Sequence, residues 1–293
     1  MRATVARELK RMRYTILGRL QFITILAVLA LPFATLLIRP AHAEVNFSSL
    51  VIDDNKPNAQ PYEGASFPDV NRSINSLGDS FMDSLNSGRT TSNVDCRLEN
   101  CIALTFDDGP NQLYTPQVLD ILKQYQAYGS FFIIGNRISA HPELVRRAYR
   151  EGHDIGNHTW SHPMLDKLTP EQINNEYVST QEAMVRAGVP ASNMFRPPYG
   201  IRTAASLSTI PMPQMLWNVD PRDWNEKSVD SLVQHVLQES HRGSVVVMHD
   251  TSTVTTEALK RIIPELQKNY KLVTLSDMFD LEPGDRGLYY GLQ

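Results

Sequence analysis

The sequence predicts an α/β protein whose mostly parallel sheet closes into a barrel of about seven strands. Three observations predict it. From Cys96 onward, short β-branched or aromatic runs alternate with helical patterns over about 185 residues, the mark of repeated βα units. The connections between them are short, which favours a barrel over an open doubly wound sheet. The reactive polar residues fall at or just beyond the carboxyl ends of the predicted strands, where parallel α/β folds place their sites.

The strand runs are, in order, "CIALTF", "GSFFIIG", "HDIGNH", "NMFRPP", "PQMLWNV", "GSVVVMHD" and "KLVTLSD". Helical periodicity predicts helices over 116–127, 142–151, 170–187, 228–241 and 254–269. In the third of these, Thr169 is the N-cap and Pro170 takes the first helical position. Ile173, Tyr177, Thr180 and Met184 then share one face, and Gly188 closes the helix. The first strand is expected to end at about Phe106, because Gly109 and Pro110 signal a turn just after Asp107 and Asp108. No internal repeat is visible.

Ahead of this domain the character differs. A basic start (Arg2, Arg7, Lys10, Arg11, Arg13, Arg19) leads into an apolar run from about Phe22 to Ile38, then Ala41-His42-Ala43. Residues 1–43 therefore read as a secretory signal peptide, with a retained membrane anchor as the rival. Residues 44–95, rich in Ser, Asn, Asp and Pro, read as a polar linker; within them "VNRSINSLGDSFMDSLNS" has the pattern of a short amphipathic helix. The folded domain is expected over 96–280 and a C-terminal tail over 281–293.

The whole chain holds 28 Lys and Arg against 32 Asp and Glu. Residues 1–43 hold seven of the basic and one of the acidic groups, which leaves 21 against 31, a balance of −10. Such a chain is a poor partner for nucleic acid or an anionic membrane surface; a neutral substrate is more natural. Membrane association is expected only through an uncleaved N-terminus, and the protein is expected to be monomeric. Cys96 and Cys101 are the only cysteines. In an exported protein a disulfide is their default reading, ahead of metal binding by two lone thiolates, and it would pin the start of the first strand.

On the strand scheme, Asp107 and Asp108 follow the first strand and His158 and His162 the third. Arg196 ends "NMF", Asp220 and Asp223 follow "MLWNV", and His249-Asp250 ends "VVVM". Taken singly, these are ordinary features: a solvated turn, core histidines, a surface ion pair. Their collection at one end of one sheet is what points to a site. "HTWSH" presents two imidazoles on one side of a turn, and two His with a carboxylate is a common zinc-binding set. Adjacent aspartates repel each other unless a cation sits between them. One of the pair is expected to complete a metal site with His158 and His162, while the other stays free to move a proton. Three protein ligands leave open positions for water and substrate, which marks a catalytic site. His141, His153, His235 and His241 lack such partners and are expected to be solvated or structural.

"TFDDGP", "HTWSH", "RPPYG", "DPRDW" and "MHD" resemble, in order and spacing, five motifs of the metal-dependent polysaccharide deacetylases. These form carbohydrate esterase family four, with the nodulation-protein-B homology fold, and the match covers about 97–280. The resemblance implies a distorted (β/α) barrel and a divalent metal, zinc first and cobalt as the alternative, held by Asp108, His158 and His162. It implies that Asp107 is the general base held by Arg196, and that His249 is the general acid oriented by Asp223. The Tyr199 backbone N–H would stabilise the oxyanion, and Trp224, Pro197 and Val247 would line the substrate site. Val247 departs from the family, which usually carries Leu two residues before the motif's His.

The function expected from this is an exported hydrolase acting on carbon–nitrogen bonds other than peptide bonds. It would remove N-acetyl groups from N-acetylglucosamine units of a peptidoglycan or chitin-type polysaccharide, outside the cytoplasm. An acetylxylan O-deacetylase of the same fold is the alternative, and a non-catalytic wall-binding protein a third reading.

Overall fold

A computed structural model describes residues 94–281, 285 and 287–291. The expected leader, the linker and its short helix lie outside the described residues, apart from Val94 and Asp95. Among the described residues, no helix is long and apolar enough to cross a membrane.

The central strand is β1 (Cys101–Gly109), almost wholly buried. It pairs in parallel with β2 (Gly129–Ile133) on one edge and β5 (Val245–His249) on the other, and β2 pairs in parallel with β3 (Asp154–Asn157). Isolated parallel bridges carry the circuit onward from Asn157 to Phe195, from Phe195 to Gln214, and from Val219 back to Val246 in β5. The sheet thus closes on itself as a distorted barrel. Two short strands fill its splayed places. One is β6 (Lys271–Leu272), beside the start of β1; the other is β7 (Leu288–Tyr289), paired with β4 (Gln214–Met215). Gly291 bridges Ser244 just before β5. The segment read as a tail therefore contributes a strand.

The expected fourth strand, "NMFRPP", forms only the two bridges at Phe195. The cause is local: Pro197 and Pro198 have no N–H to donate, so the ladder cannot run past Arg196. The first strand also differs from expectation, because it runs through both aspartates to Gly109. Its pairing with β2 shifts register between Asp107 and Gly109, and Asp108 is the extra residue, at φ 72°. This is a β-bulge, which re-aims one side chain without ending the strand.

Helices cover the barrel: α1 (Thr115–Gln124), α2 (Gly135–Ile138), α3 (Pro142–Arg150), α4 (Pro170–Arg186), α5 (Ala204–Thr209), α6 (Val229–Glu239), α7 (Thr253–Leu266) and α8 (Leu275–Phe279). The predicted start of α4 is present as a full capping box. Thr169 accepts from the Gln172 N–H, and the Gln172 side chain accepts from the Thr169 N–H. Ile173, Tyr177, Thr180 and Met184 are all buried, as their spacing requires. In α7, Pro264 removes the hydrogen bond that the Lys260 carbonyl would otherwise accept. That carbonyl accepts from the Tyr125 hydroxyl at 3.2 Å instead. Cys96 and Cys101 are joined by a disulfide at the entry to β1, and both are buried.

Candidate active site

The site is built at the carboxyl ends of the strands. Side chains alternate across a strand, so Thr105 and Asp107 share one face of β1. Their register partners on β5 are Val247 and His249. Arg196, fully buried, reaches this face from the segment after Phe195. Its Nη1 donates to Asp107 Oδ1 at 2.7 Å and to Thr105 Oγ1 at 2.7 Å. Its Nε and Nη2 donate to the carbonyls of Met215 (3.0 Å) and Leu216 (3.1 Å). The Phe132 ring lies 4.0 Å from its guanidinium carbon. Burial pulls the Arg196 pKa down, and the charge and hydrogen bond of Asp107 oppose that pull. A buried cation so completely bonded holds its neighbour's carboxylate fixed in place.

Asp108, one residue on, serves a different set. Its Oδ1 lies 3.6 Å from His158 Nε2 and 3.3 Å from His162 Nε2. Potential ligand atoms of the three residues all fall within 4.8 Å of one another. The tautomer of His158 follows from its other nitrogen: Nδ1 lies 2.7 Å from the Arg196 carbonyl oxygen, which can only accept. Nδ1 therefore carries the proton and Nε2 offers its lone pair to the cluster. Burial pushes the His158 pKa down to about 3, against the raising charge of Asp108, so the ring is neutral. Asp108 Oδ1 is buried and accepts no hydrogen bond. An orphaned carboxylate oxygen facing two imidazole nitrogens fits a divalent cation by charge and by donor type.

Backbone strain is concentrated here. Asp108 (φ 72°), Thr159 (φ 68°), His162 (φ 62°) and Tyr199 (φ 58°) all occupy the left-handed region, which non-glycine residues adopt at a cost. Local bonds hold it: Thr159 N–H donates to Asn157 Oδ1 at 2.9 Å and His162 N–H to Thr159 Oγ1 at 3.0 Å. Tyr199 stands in the 3-10 turn Pro198–Gly200 with its ring centroid 4.6 Å from that of His162.

Beside Asp107, on β5, lies a second dyad. His249 Nδ1 is 2.7 Å from Asp223 Oδ1, and the His249 N–H donates to Asp223 Oδ2 at 2.8 Å. Thr255 Oγ1 also donates to Asp223 Oδ2, at 2.7 Å. Burial lowers the His249 pKa, but the hydrogen bond and charge of Asp223, then Asp107 and Asp108, outweigh it and raise the group to about 9. Trp224, beside Asp223, is 62% exposed, as is Tyr199. These are large apolar surfaces left open to solvent next to the polar cluster.

Most sequence-predicted residues are thus brought together. Asp220 is not: it accepts from the Arg222 N–H at 3.0 Å in its own turn. Val247 is buried on the His249 side of β5, and Pro197 is buried with its carbonyl accepting from the Gly200 N–H. His153 is buried and accepts from the Gly129 N–H through Nδ1 at 3.2 Å, a structural role. Two residues not foreseen, Thr105 and Thr255, also take part. Thr105 was findable from its i, i+2 relation to Asp107, whereas Thr255 carries no local signal. Asp250 is buried and accepts from Thr115 Oγ1. Its carboxylate packs so closely on Gly109 that a Cβ there would meet Oδ2 at 2.7 Å.

Residues 95–210 match the family model described as polysaccharide deacetylase. A peptidoglycan-N-acetylglucosamine deacetylase of Bacillus cereus is 39% identical over 189 residues, 61% of this chain and 88% of that protein. The peptidoglycan-N-acetylmuramic acid deacetylase PdaC of Bacillus subtilis is 35% identical over 185 residues, and the match spans only 40% of its length. Among solved structures, a family 4 acetyl xylan esterase from Clostridium thermocellum, in complex with a cobalt ion, has a TM-score of 0.62 at 28% identity. It covers 66% of this chain and 98% of its own. A closed parallel barrel, a paired buried aspartate, an Asp-His-His cluster and an Asp-oriented histidine all lie within a chain this similar to a nearly full-length deacetylase. The chain belongs to the polysaccharide deacetylase family.

Proposed function

We propose that the protein is an extracytoplasmic, metal-dependent deacetylase that removes N-acetyl groups from N-acetylglucosamine units of a cell-wall or chitin-type polysaccharide. The observation that carries this reading is the pair of dyads, Asp107–Arg196 and Asp223–His249, on neighbouring strand ends beside the Asp108, His158 and His162 cluster. An acyl-transfer site needs a base on one side and an acid on the other. The similarity to peptidoglycan deacetylases supports the substrate class. The buried disulfide fits an oxidising compartment.

Asp108, His158 and His162 would hold the cation, zinc first and cobalt as the alternative, and it supplies Lewis acidity and a water of lowered pKa. The chain's own groups do the rest. Asp107, held in place by Arg196, accepts the proton of the attacking water. The Tyr199 N–H donates to the oxygen that gains charge at the tetrahedral carbon. His249, kept protonated by Asp223, passes its proton to the departing nitrogen, because an amide nitrogen leaves poorly as an anion. Trp224 and Val247 shape the acetyl pocket beside Pro197.

The chemistry of an O-acetyl ester differs mainly in the leaving group, and the likeness to an acetyl xylan esterase favours that second reading. One experiment separates them: acetate release from peptidoglycan, chitooligosaccharides and acetylxylan. Release from the first two with little from acetylxylan supports the proposal. The reverse order transfers it to the esterase, and no release from any leaves a wall-binding protein.

A further inference from the structure

The two segments that carry the cluster, the end of β1 with Asp108 and the loop after β3 with His158 and His162, are joined by the start of α2. Ile134 N–H donates to the Gly109 carbonyl at 2.9 Å. Gly135 N–H then donates to the Thr159 carbonyl at 2.9 Å, and Asn136 N–H to the Trp160 carbonyl at 3.0 Å. The brace is tightly seated: a Cβ on Gly135 would meet Thr180 Oγ1 at 2.5 Å and the Trp160 ring at 2.7 Å. From this base Arg137 extends its guanidinium to the carbonyl oxygen of Asp108, to which Nη1 donates. That carbonyl belongs to the bulged residue at φ 72°.

We infer that Arg137 is a positioning residue of the metal centre. By holding the Asp108 carbonyl it fixes the left-handed bulge that aims Asp108 Oδ1 at His158 and His162. The inference rests on the metal-binding reading above. A left-handed aspartate relaxes toward the extended region unless its surroundings over-determine it. Around Asp108 the side-chain constraints are the Arg137 bond on one side and, on the other, the Asp250 carboxylate packed on Gly109, whose carbonyl is also held by the Ile134 N–H. Arg137 is exposed, so its charge is screened by solvent and its directional hydrogen bond is the larger effect. It stands to Asp108 as the Arg196 carbonyl stands to His158, as an outer partner that orients a ligand.

The test is zinc titration of the purified full-length chain against a chromophoric competitor, comparing wild type with Arg137→Ala, Arg137→Met and Arg137→Lys. Losing an outer-shell partner typically weakens metal affinity about 10- to 100-fold. The Ala and Met variants are expected to fall in that range, and Lys, which keeps a donor of similar reach, to recover most of the loss. The visible spectrum of bound cobalt gives a second readout. It should change in the Met variant, because ligand geometry changes, and return in the Lys variant. Unfolding of the metal-free proteins shows whether Ala is merely misfolded, and the Met and Lys pair decides the matter if it is. Equal zinc affinity and an unchanged cobalt spectrum in Arg137→Met overturn the assignment alone. A wild-type chain that binds neither metal overturns the metal centre itself, and this inference with it.

Discussion

Arg196 Nη1 and Asp107 Oδ1 lie 2.7 Å apart with both side chains out of solvent, so a charge pair spans the barrel interior from the Phe195 segment to β1. Removing one partner of a buried pair leaves the other charged and unpaired, at a cost of about 3–5 kcal/mol. Arg196→Met is therefore expected to lower the denaturant midpoint strongly. The double variant Arg196→Met/Asp107→Leu should be more stable than the single one, since it removes the stranded carboxylate. Chemical unfolding of the three proteins checks this. Equal stability of Arg196→Met and wild type would show that the pair does not hold the interior.

His249, raised to about 9 with Asp223 as its partner, sets a direction for pH dependence. It is protonated at neutral pH, and activity that needs its proton should fall as pH rises toward 9. The folded-state pKa lies above the ordinary 6.5, so the pair also adds stability that is complete below pH 6.5. That stability is lost as pH rises through about 9. Asp223→Asn removes the leading raising cause, and the basic limb of the kcat/KM profile is expected to move to lower pH. A limb that stays in place in this variant rejects His249 as the acid.

Chelation offers the bluntest check on the Asp108, His158 and His162 cluster. Dialysis against a strong chelator is expected to abolish acetate release, and added zinc or cobalt to restore it. Full activity in a sample shown by elemental analysis to be metal-free excludes the metal from the reaction.

How far these features were legible in the sequence depends on how local they are. The Thr169 N-cap of α4 and its buried Ile173, Tyr177, Thr180 and Met184 face follow from local signals and i, i+3 and i, i+4 spacing, and the structure has both. The Phe195 strand was over-read, because a β-rich run predicts a ladder while the prolines after Arg196 stop it. The two-residue strand β7 is too short to have a period. At Asp107 and Asp108 the Gly-Pro signal was read as a turn, whereas the bulge at Asp108 keeps the strand running to Gly109. Contacts across long separations, such as Arg137 to Asp108 and Thr255 to Asp223, have no local pattern at all. The strand scheme alone places His249 and Asp223 at one end of the sheet, whereas their pairing follows only from the resemblance of five ordered motifs.

The bulge also explains how two adjacent aspartates take different work, and this yields the sharpest prediction. An unbroken strand would send consecutive side chains to opposite faces, yet both carboxylates reach the same end of the barrel. Asp107 points to Arg196, and Asp108, turned by its left-handed backbone, points to the two histidines. Asp108→Asn replaces a carboxylate by a neutral amide, a poorer ligand for a divalent cation, and is expected to lose metal and activity together. Asp107→Asn is expected to keep the metal and lose turnover by roughly 10²–10⁴-fold, the usual cost of a missing general base. Metal content and kcat, measured on both variants, decide between the roles. A metal-free Asp107→Asn beside a loaded Asp108→Asn reverses the assignment. Two variants that both keep metal and rate would reduce the bulge to a structural feature of the strand.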